Sequence, residues 1–244
     1  MLGLTSITFR NLSVEEIVSL SAANGLDGIE WGGDIHVPPG DESAAALAKA
    51  ATDAAGLQVL SYGSYYRLQE GEDFAPVLQS AVALGAPCIR VWAGAAGSAQ
   101  TDTASRAATA QRLSAVAAQA AEKGVQIGLE YHRNTLTDTW QSARELLEQC
   151  GAKNVSTYWQ PNPDLTLDQQ LEEIDQLLPW ITTVHVFQWE KGNVRFPLAD
   201  GISRWNTYGE KLGLARNFLL EFVKDDSVAQ FQADSKVLAE LFRG

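Results

Sequence analysis

Glycines divide this chain into alternating helix-like and strand-like segments. Six of them follow a helix-like stretch and precede a short apolar run, namely Gly25, Gly56, Gly85, Gly124, Gly151 and Gly213. Glycine readily ends a helix, because it adopts the left-handed backbone of the C-terminal cap at little cost. Helices that alternate with strands in this way are typical of a parallel sheet with helical crossovers. The pattern therefore indicates an α/β fold.

Strand-like runs recur over the whole chain. There are eight, at Gly3–Thr8, Gly28–Trp31, Leu57–Tyr62, Cys88–Trp92, Val125–Glu130, Val155–Trp159, Ile181–Phe187 and Phe218–Phe222. Eight strand-and-helix units in 244 residues fit a (β/α)8 TIM barrel, which ordinarily takes about 250 residues. We predict a single domain of this fold over residues 1–244, since no linker or low-complexity tract divides the chain.

The segments between these runs carry helix signals. Ser13 and Glu16 have the spacing of a capping box. The predicted helices lie at Ser13–Ala23, Asp41–Ala55, Phe74–Leu84, Thr103–Lys123, Asp138–Gln149, Leu167–Leu178, Ser227–Phe242 and, more weakly, Asn206–Leu212. A doubly wound open sheet is the alternative, but no glycine-rich phosphate loop follows the first strand.

Composition restricts the class of partner. The formal charge of −12 opposes binding to the phosphate backbone of nucleic acid. No apolar run approaches the ~18 residues that a membrane-spanning helix needs. Cys88 and Cys150 lack paired spacing, as expected for free thiols in a reducing compartment. We expect a cytoplasmic protein with no nucleic-acid or membrane partner.

Four strand ends carry residues that bind divalent metals. They are Glu130, Gln160, His185 and Glu221, spaced 30, 25 and 36 residues apart, which is about one strand-and-helix unit each time. In a closed parallel barrel the carboxyl ends of all strands meet at one rim, where such enzymes keep their active sites. The set offers oxygen and nitrogen but no thiolate, which suits Mn²⁺, Mg²⁺ or Zn²⁺.

Several motifs resemble those of the xylose isomerase-like barrel superfamily, which includes sugar isomerases, ketose epimerases, inosose dehydratases and apurinic endonucleases. The similar segments are Gly28-Ile29-Glu30-Trp31, Gly128-Leu129-Glu130-Tyr131-His132, Thr183-Val184-His185-Val186-Phe187, Pro197-Leu198-Ala199-Asp200-Gly201 and Leu219-Leu220-Glu221-Phe222. The resemblance implies a metal held by Glu130, Gln160, His185 and Glu221. It also implies an enediolate intermediate, with Glu130 and Glu221 as the acid and base.

The chain departs from that pattern on the sixth strand. Where the family usually has a metal-binding aspartate, this chain has Gln160, which removes one negative charge from the shell. Where epimerases tend to carry a substrate-holding histidine three residues later, it has Pro163. The first change predicts a more weakly held metal, and the second argues against a 3-epimerase.

Other residues near the upper rim are candidates for binding substrate. We select His36, His132, Trp31, Tyr62 and Arg195, because they follow or end predicted strands or lie in upper loops. Each also has an ordinary structural interpretation as a packed or ion-paired residue. The same holds for a wider aromatic set that comprises Phe9, Tyr65, Tyr66, Trp92, Trp159, Trp189 and Trp205.

These observations favour a metal-dependent isomerase or epimerase of a small sugar, sugar phosphate or polyol. One alternative is an inosose-type dehydratase with the same site, and another is a non-catalytic sugar-binding barrel. An endonuclease fits poorly, because the chain has three histidines and the related nucleases hold a histidine-rich three-metal cluster. A homo-oligomer is compatible with the motifs, which leave the assembly state open.

Overall fold

The computed structural model describes residues 1–243 and shows a closed barrel of parallel strands. Its eight strands are ordered β1-β10-β7-β6-β5-β4-β3-β2. Their bounds are β1 Leu2–Thr5, β2 Gly28–Gly32, β3 Gln58–Gly63, β4 Cys88–Val91, β5 Gln126–Leu129, β6 Val155–Trp159, β7 Ile181–Val186 and β10 Asn217–Leu220. The predicted (β/α)8 fold is confirmed.

Eight helices surround the barrel. They are α1 Val14–Ala23, α2 Glu42–Ala54, α3 Ala75–Leu84, α4 Thr103–Ala121, α5 Trp140–Cys150, α6 Leu167–Leu177, α7 Ile202–Leu212 and α8 Val228–Phe242. The capping box predicted at Ser13 and Glu16 is present at the start of α1. Gly85 caps α3 with φ of 71°, a left-handed backbone that a side chain would disfavour. None of the helices in residues 1–243 is both long and apolar enough to cross a bilayer.

Three segments differ from the sequence-based expectation. The predicted first strand ends early, because Ser6–Phe9 forms a 3₁₀ turn. The loop that follows β7 contains a small antiparallel hairpin of β8 Gln188–Glu190 and β9 Val194–Phe196. Helix α7 also begins earlier than expected, because Trp205 and Tyr208 bury one face of it against Trp159 of β6. The hairpin places its residues beside the carboxyl ends of the strands.

Candidate active site

Glu130, His185 and Glu221 come together at the carboxyl end of the barrel. Glu130 follows β5, His185 lies near the end of β7, and Glu221 follows β10. The neighbouring strands β7 and β10 pair His185 with Leu219, two residues before Glu221. One side-chain ligand atom from each residue lies within 4.8 Å of the others, and all three side chains are buried.

The imidazole of His185 is the central member of this group. Its Nδ1 lies 3.5 Å from Oε1 of Glu221 and 4.0 Å from Oε1 of Glu130. Its Nε2 lies 3.6 Å from Oε1 of Glu30. Within the described residues neither ring nitrogen makes a hydrogen bond, although the side chain is fully buried.

Unpaired buried nitrogens of this kind fit a metal ligand. A buried polar group without a partner costs about 1–3 kcal/mol of stability. We therefore expect His185 to bind a partner that is not part of the chain. A divalent ion bound to an imidazole nitrogen and two carboxylate oxygens would satisfy it, and this donor set suits Mn²⁺, Mg²⁺ or Zn²⁺. The residues present therefore fit a metal.

Gln160 lies beside this group after β6 and lines the cavity above it. Its Nε2 donates a hydrogen bond of 2.9 Å to the backbone carbonyl of Tyr131. Because that bond fixes which way the amide faces, Oε1 is the atom that remains to bind a ligand.

The backbone turns sharply directly after Glu221. Phe222 has φ of 45°, in the left-handed region that non-glycine residues rarely occupy. Its N–H donates to Oγ1 of Thr8 at 3.1 Å, and its carbonyl accepts from Nε1 of Trp189 at 3.4 Å. Backbone strain that the surroundings hold in place is typical of functional sites, and here it fixes the direction in which the chain leaves Glu221.

Arg90 and Glu30 are two further buried charged residues beside Glu130 and His185. Arg90, in β4, is 1% exposed, and its Nη1 contacts Oε2 of Glu130. Its Nε lies 3.3 Å from Oε1 of Glu30, while Oε2 of Glu30 accepts from Oγ of Ser61 at 2.7 Å. Sequence analysis did not predict this pair. A charged residue between Ile89 and Val91 in an otherwise apolar strand was the available signal.

Electrostatics within the group are strong. Burial disfavours the charged form of Glu30, but Arg90 and His185 outweigh it and lower the pKa of Glu30 to about 2. Burial also opposes protonation of His185, yet the carboxylates of Glu221, Glu30 and Glu130 raise its pKa to about 9. Burial raises the pKa of Glu221 to about 6, against the pull of His185. The group thus carries a concentrated negative potential in which a cation is favoured.

A cavity of about 220 Å³ opens above these residues. Glu130, Gln160 and Glu221 form part of its lining. Its aromatic walls are Tyr65, Trp92, Tyr131, Phe187, Trp189 and Phe222. On one side Trp92 packs against His132 with ring centroids 4.5 Å apart and planes tilted by 32°, and on another Trp189 packs against Phe187 at 4.6 Å and 36°. The size and the flat walls suit a small ligand with an apolar face.

The five substrate-binding candidates from the sequence are placed unequally. His132 lines the cavity, as does its neighbour Arg133. His36 lies elsewhere, with Nδ1 bonded to Oγ of Ser6 at 2.9 Å and Nε2 to the carbonyl of Leu12 at 3.1 Å. Both ring nitrogens of His36 therefore have partners within the protein, and His36 is not part of the cavity lining.

Trp31, Tyr62 and Arg195 also lie outside the cavity lining. The indole N–H of Trp31 donates to Oγ1 of Thr52 at 3.1 Å, and Tyr62 donates to the carbonyl of Val37 at 2.8 Å. Arg195 pairs with Asp226 at 2.6 Å. The polar atoms of all three side chains therefore contact other parts of the protein. Sequence analysis selected these residues by position at a strand end or in a loop, and that position does not decide whether a side chain faces the cavity or the surrounding helices.

Comparison with known proteins places this geometry in a family. The sequence model of the xylose isomerase-like TIM barrel family matches residues 18–218. The chain belongs to that family. Its closed eight-stranded barrel agrees with the assignment.

Individual relatives fall into more than one class of enzyme. The chain is 26% identical to a 3-dehydroshikimate dehydratase of Bacillus anthracis over 202 residues, which cover 75% of this chain and 70% of the relative. A crystal structure of a probable 3-DHS dehydratase from the same organism has a TM-score of 0.83, with 21% identity and 98% of each chain covered.

Two further solved structures share the fold at lower identity. A 3-keto-D-glucoside 4-epimerase of E. coli has a TM-score of 0.73 at 17% identity, with 100% of this chain and 99% of that chain covered. The IOLI protein with a bound zinc atom has a TM-score of 0.75 at 13% identity, with 99% and 97% covered. The fold is therefore shared by an epimerase, a probable dehydratase and a protein with a bound zinc atom.

Proposed function

We propose that this protein is a divalent-metal-dependent sugar isomerase or epimerase that moves a proton next to a carbonyl group of its substrate. The observation that carries the proposal is the buried group of Glu130, His185 and Glu221 beneath a small aromatic cavity. The family and the epimerase among the structural neighbours support the same chemistry.

The proposed metal ligands are Glu130, Gln160, His185 and Glu221. Oε1 of Glu130, Oε1 of Glu221 and a nitrogen of His185 face one another, and the amide oxygen of Gln160 adds a neutral donor. When bound, a divalent ion would polarise a substrate carbonyl and stabilise the negative charge that develops on its oxygen.

Glu130 and Glu221 are the proposed acid and base. Each comes from a different strand of the barrel, so the two carboxylates approach a substrate above the site from different sides. A carboxylate oxygen of one removes the proton from the carbon beside the carbonyl, and the other carboxyl group returns a proton.

Cavity residues above this pair would orient the substrate and limit the access of water. His132 and Arg133 line the cavity and offer donors to substrate hydroxyl groups. The rings of Trp92 and Trp189, which both line the cavity, offer flat apolar surfaces. Positioning of this kind lowers the barrier by fixing the reacting groups before the reaction.

A dehydratase is the second candidate, and the similarity to the 3-dehydroshikimate dehydratase favours it. The first step would be the same removal of a proton next to a carbonyl. The electron pair left on carbon would then form a carbon–carbon double bond as the neighbouring hydroxyl group leaves, and that group would take a proton to become water.

Product analysis in heavy water distinguishes the two. Purified protein is stripped of metal, reloaded with Mn²⁺, Mg²⁺ or Zn²⁺, and incubated with a panel of sugars, polyols and hydroxylated keto acids. We expect metal-dependent formation of an isomer with solvent deuterium on carbon and no loss of mass. A product that lacks one water would instead establish the dehydratase.

Matched variants complete the experiment. Glu221→Gln is expected to lower turnover by at least about 100-fold, whereas Glu148→Gln, a change at an exposed carboxylate of α5 that pairs with Arg144, is expected to leave it unchanged. Failure of every metal and substrate to give turnover, together with no metal binding, would refute the enzyme and favour a non-catalytic binding barrel.

A further inference from the structure

Arg90 places a guanidinium group among three buried carboxylates at the barrel mouth. It contacts Glu130 through Nη1 and lies beside Glu30 through Nε. Glu30 is not one of the three residues whose ligand atoms cluster, because its oxygens face Arg90, Ser61 and the far nitrogen of His185. Glu30 therefore lies at the opposite nitrogen of His185 from Glu130 and Glu221, and Arg90, which also lines the cavity, lies between Glu30 and Glu130.

The charges of the group can be counted from these contacts. With a divalent ion bound, Glu130 and Glu221 are carboxylate ligands, so together with Glu30 they supply three negative charges, and Arg90 supplies one positive charge. With a neutral imidazole at His185, as a metal ligand requires, two negative charges remain, and one divalent ion balances them. The amide of Gln160 is neutral and leaves this balance unchanged, whereas the aspartate that the family usually has at this position would add a third negative charge.

We infer that Arg90 and Glu30 form a charge-balancing pair that tunes metal affinity and holds Glu130 with one oxygen turned toward the ion. The inference rests on the proposed metal site. Neither residue is a proposed ligand. Arg90 acts as a positioning residue through its contact with Oε2 of Glu130, and Glu30 acts by offsetting the charge of Arg90.

Arg90 and Glu30 lie in the protein interior, where a charge has a large effect on the binding of a nearby cation. Arg90 and Glu30 are each 1% exposed, so water screens their charges weakly. Nε and Nη2 of Arg90 make no hydrogen bond to the described residues, so the guanidinium is held by its carboxylate partners. A buried charge that loses its partner is strongly unfavourable. Because Arg90 is positive and Glu30 is negative, removal of either one should change the affinity for a nearby cation in the opposite direction from removal of the other.

The inference predicts opposite effects from two variants at residues that do not bind the ion. Arg90→Met removes a positive charge beside Glu130, and we expect the Mn²⁺ dissociation constant to fall by about tenfold or more. Glu30→Gln leaves the charge of Arg90 unbalanced, and we expect the constant to rise by about tenfold. The double variant is expected to bind Mn²⁺ within about threefold of the wild type.

Titration calorimetry with Mn²⁺ on full-length protein measures these constants, and thermal unfolding with and without Mn²⁺ gives an independent readout. Arg90→Met is expected to lower the unfolding temperature of the metal-free protein and to enlarge the shift that Mn²⁺ produces. Should Arg90→Met fail to fold, Glu30→Gln and the double variant still test the inference. Arg106→Met is the control, because Arg106 is a largely buried arginine that pairs with Glu145 outside the cavity.

Arg106→Met is expected to leave the Mn²⁺ dissociation constant unchanged. Shifts of the same sign in Arg90→Met and Glu30→Gln, or no shift in either, would overturn the inference. A wild-type protein that binds none of Mn²⁺, Mg²⁺ and Zn²⁺ would instead refute the proposed function. Metal binding that responds to both variants without any turnover would refute the enzyme and leave the charge-balancing pair in place.

Discussion

The two halves of the barrel rim carry different kinds of residue. We call the ends of β5, β6, β7 and β10 the ligand half, because they present Glu130, Gln160, His185 and Glu221. We call the ends of β1 to β4 the balancing half, because Glu30 and Arg90 lie there. In the ligand half Glu130, His185 and Glu221 have ligand atoms within 4.8 Å of one another, whereas in the balancing half Glu30 and Arg90 contact each other, Ser61 and Glu130.

This difference teaches how the barrel accommodates its buried charge. A cluster of carboxylates would be costly in the interior unless a cation compensates it. Arg90 provides part of that compensation from the opposite half of the rim, and the remainder is what a divalent ion would supply. Variants in the ligand half should therefore affect chemistry and metal binding, and variants in the balancing half should not abolish either.

The largest effect is expected from Glu221→Gln. An amide keeps the size of the side chain but cannot accept the proton, so kcat should fall by about 10²- to 10⁴-fold. Steady-state kinetics on the substrate identified by product analysis measures the change. Retention of more than half the wild-type kcat would show that Glu221 is not the acid or base.

His185→Leu should remove metal binding. We expect the Mn²⁺ dissociation constant to rise by at least about 100-fold, because a direct ligand contributes more than the groups that orient it. The metal-free variant should be less stable than the metal-free wild type at neutral pH, because the carboxylates that raise the pKa of His185 to about 9 lose its positive charge. Calorimetry and thermal unfolding measure both quantities, and unchanged Mn²⁺ affinity would mean that the ion lies elsewhere.

A buried carboxylate behind the ligand half should make stability depend on pH. Glu173 of α6 accepts a hydrogen bond of 2.6 Å from Tyr131, and burial, opposed by that bond, raises its pKa to about 7. Because the folded protein binds this proton more tightly than the unfolded chain, its stabilising contribution is complete below pH 4.5 and is lost as the pH rises through 7.

Glu173→Gln tests this dependence. The free energy of unfolding of the wild type should fall by up to about 3 kcal/mol more than that of the variant between pH 4.5 and pH 8. Urea unfolding at a series of pH values measures the difference. Parallel pH profiles for the two proteins would contradict the raised pKa.

The sequence predicted the ligand half of the rim better than the balancing half. Residue type and spacing identified the four strand ends of the ligand half, since parallel strands bring their carboxyl ends together whatever their packing. The contact of Arg90 with Glu130 depends on which way two side chains turn inside the barrel, and spacing does not determine that. The hairpin of β8 and β9 was also missed, because each strand has only three residues.

The smallest effect is expected in the balancing half, at His36. Replacement by Gln preserves one hydrogen-bonding group, and activity should stay within about threefold of the wild type while unfolding becomes easier by about 1 kcal/mol. Kinetics and urea unfolding on the same preparation separate the two outcomes. A tenfold or larger loss of kcat at unchanged stability would show that His36 belongs to the functional site after all.

The claim that the ligand half binds a divalent ion is tested most directly by anomalous diffraction from crystals soaked in Mn²⁺. We predict an anomalous peak within about 2.5 Å of atoms from Glu130, His185 and Glu221, with the oxygen of Gln160 close to it and Arg90 still on Oε2 of Glu130. A fully soaked crystal with no peak at that position, or with its manganese bound elsewhere, would contradict the claim.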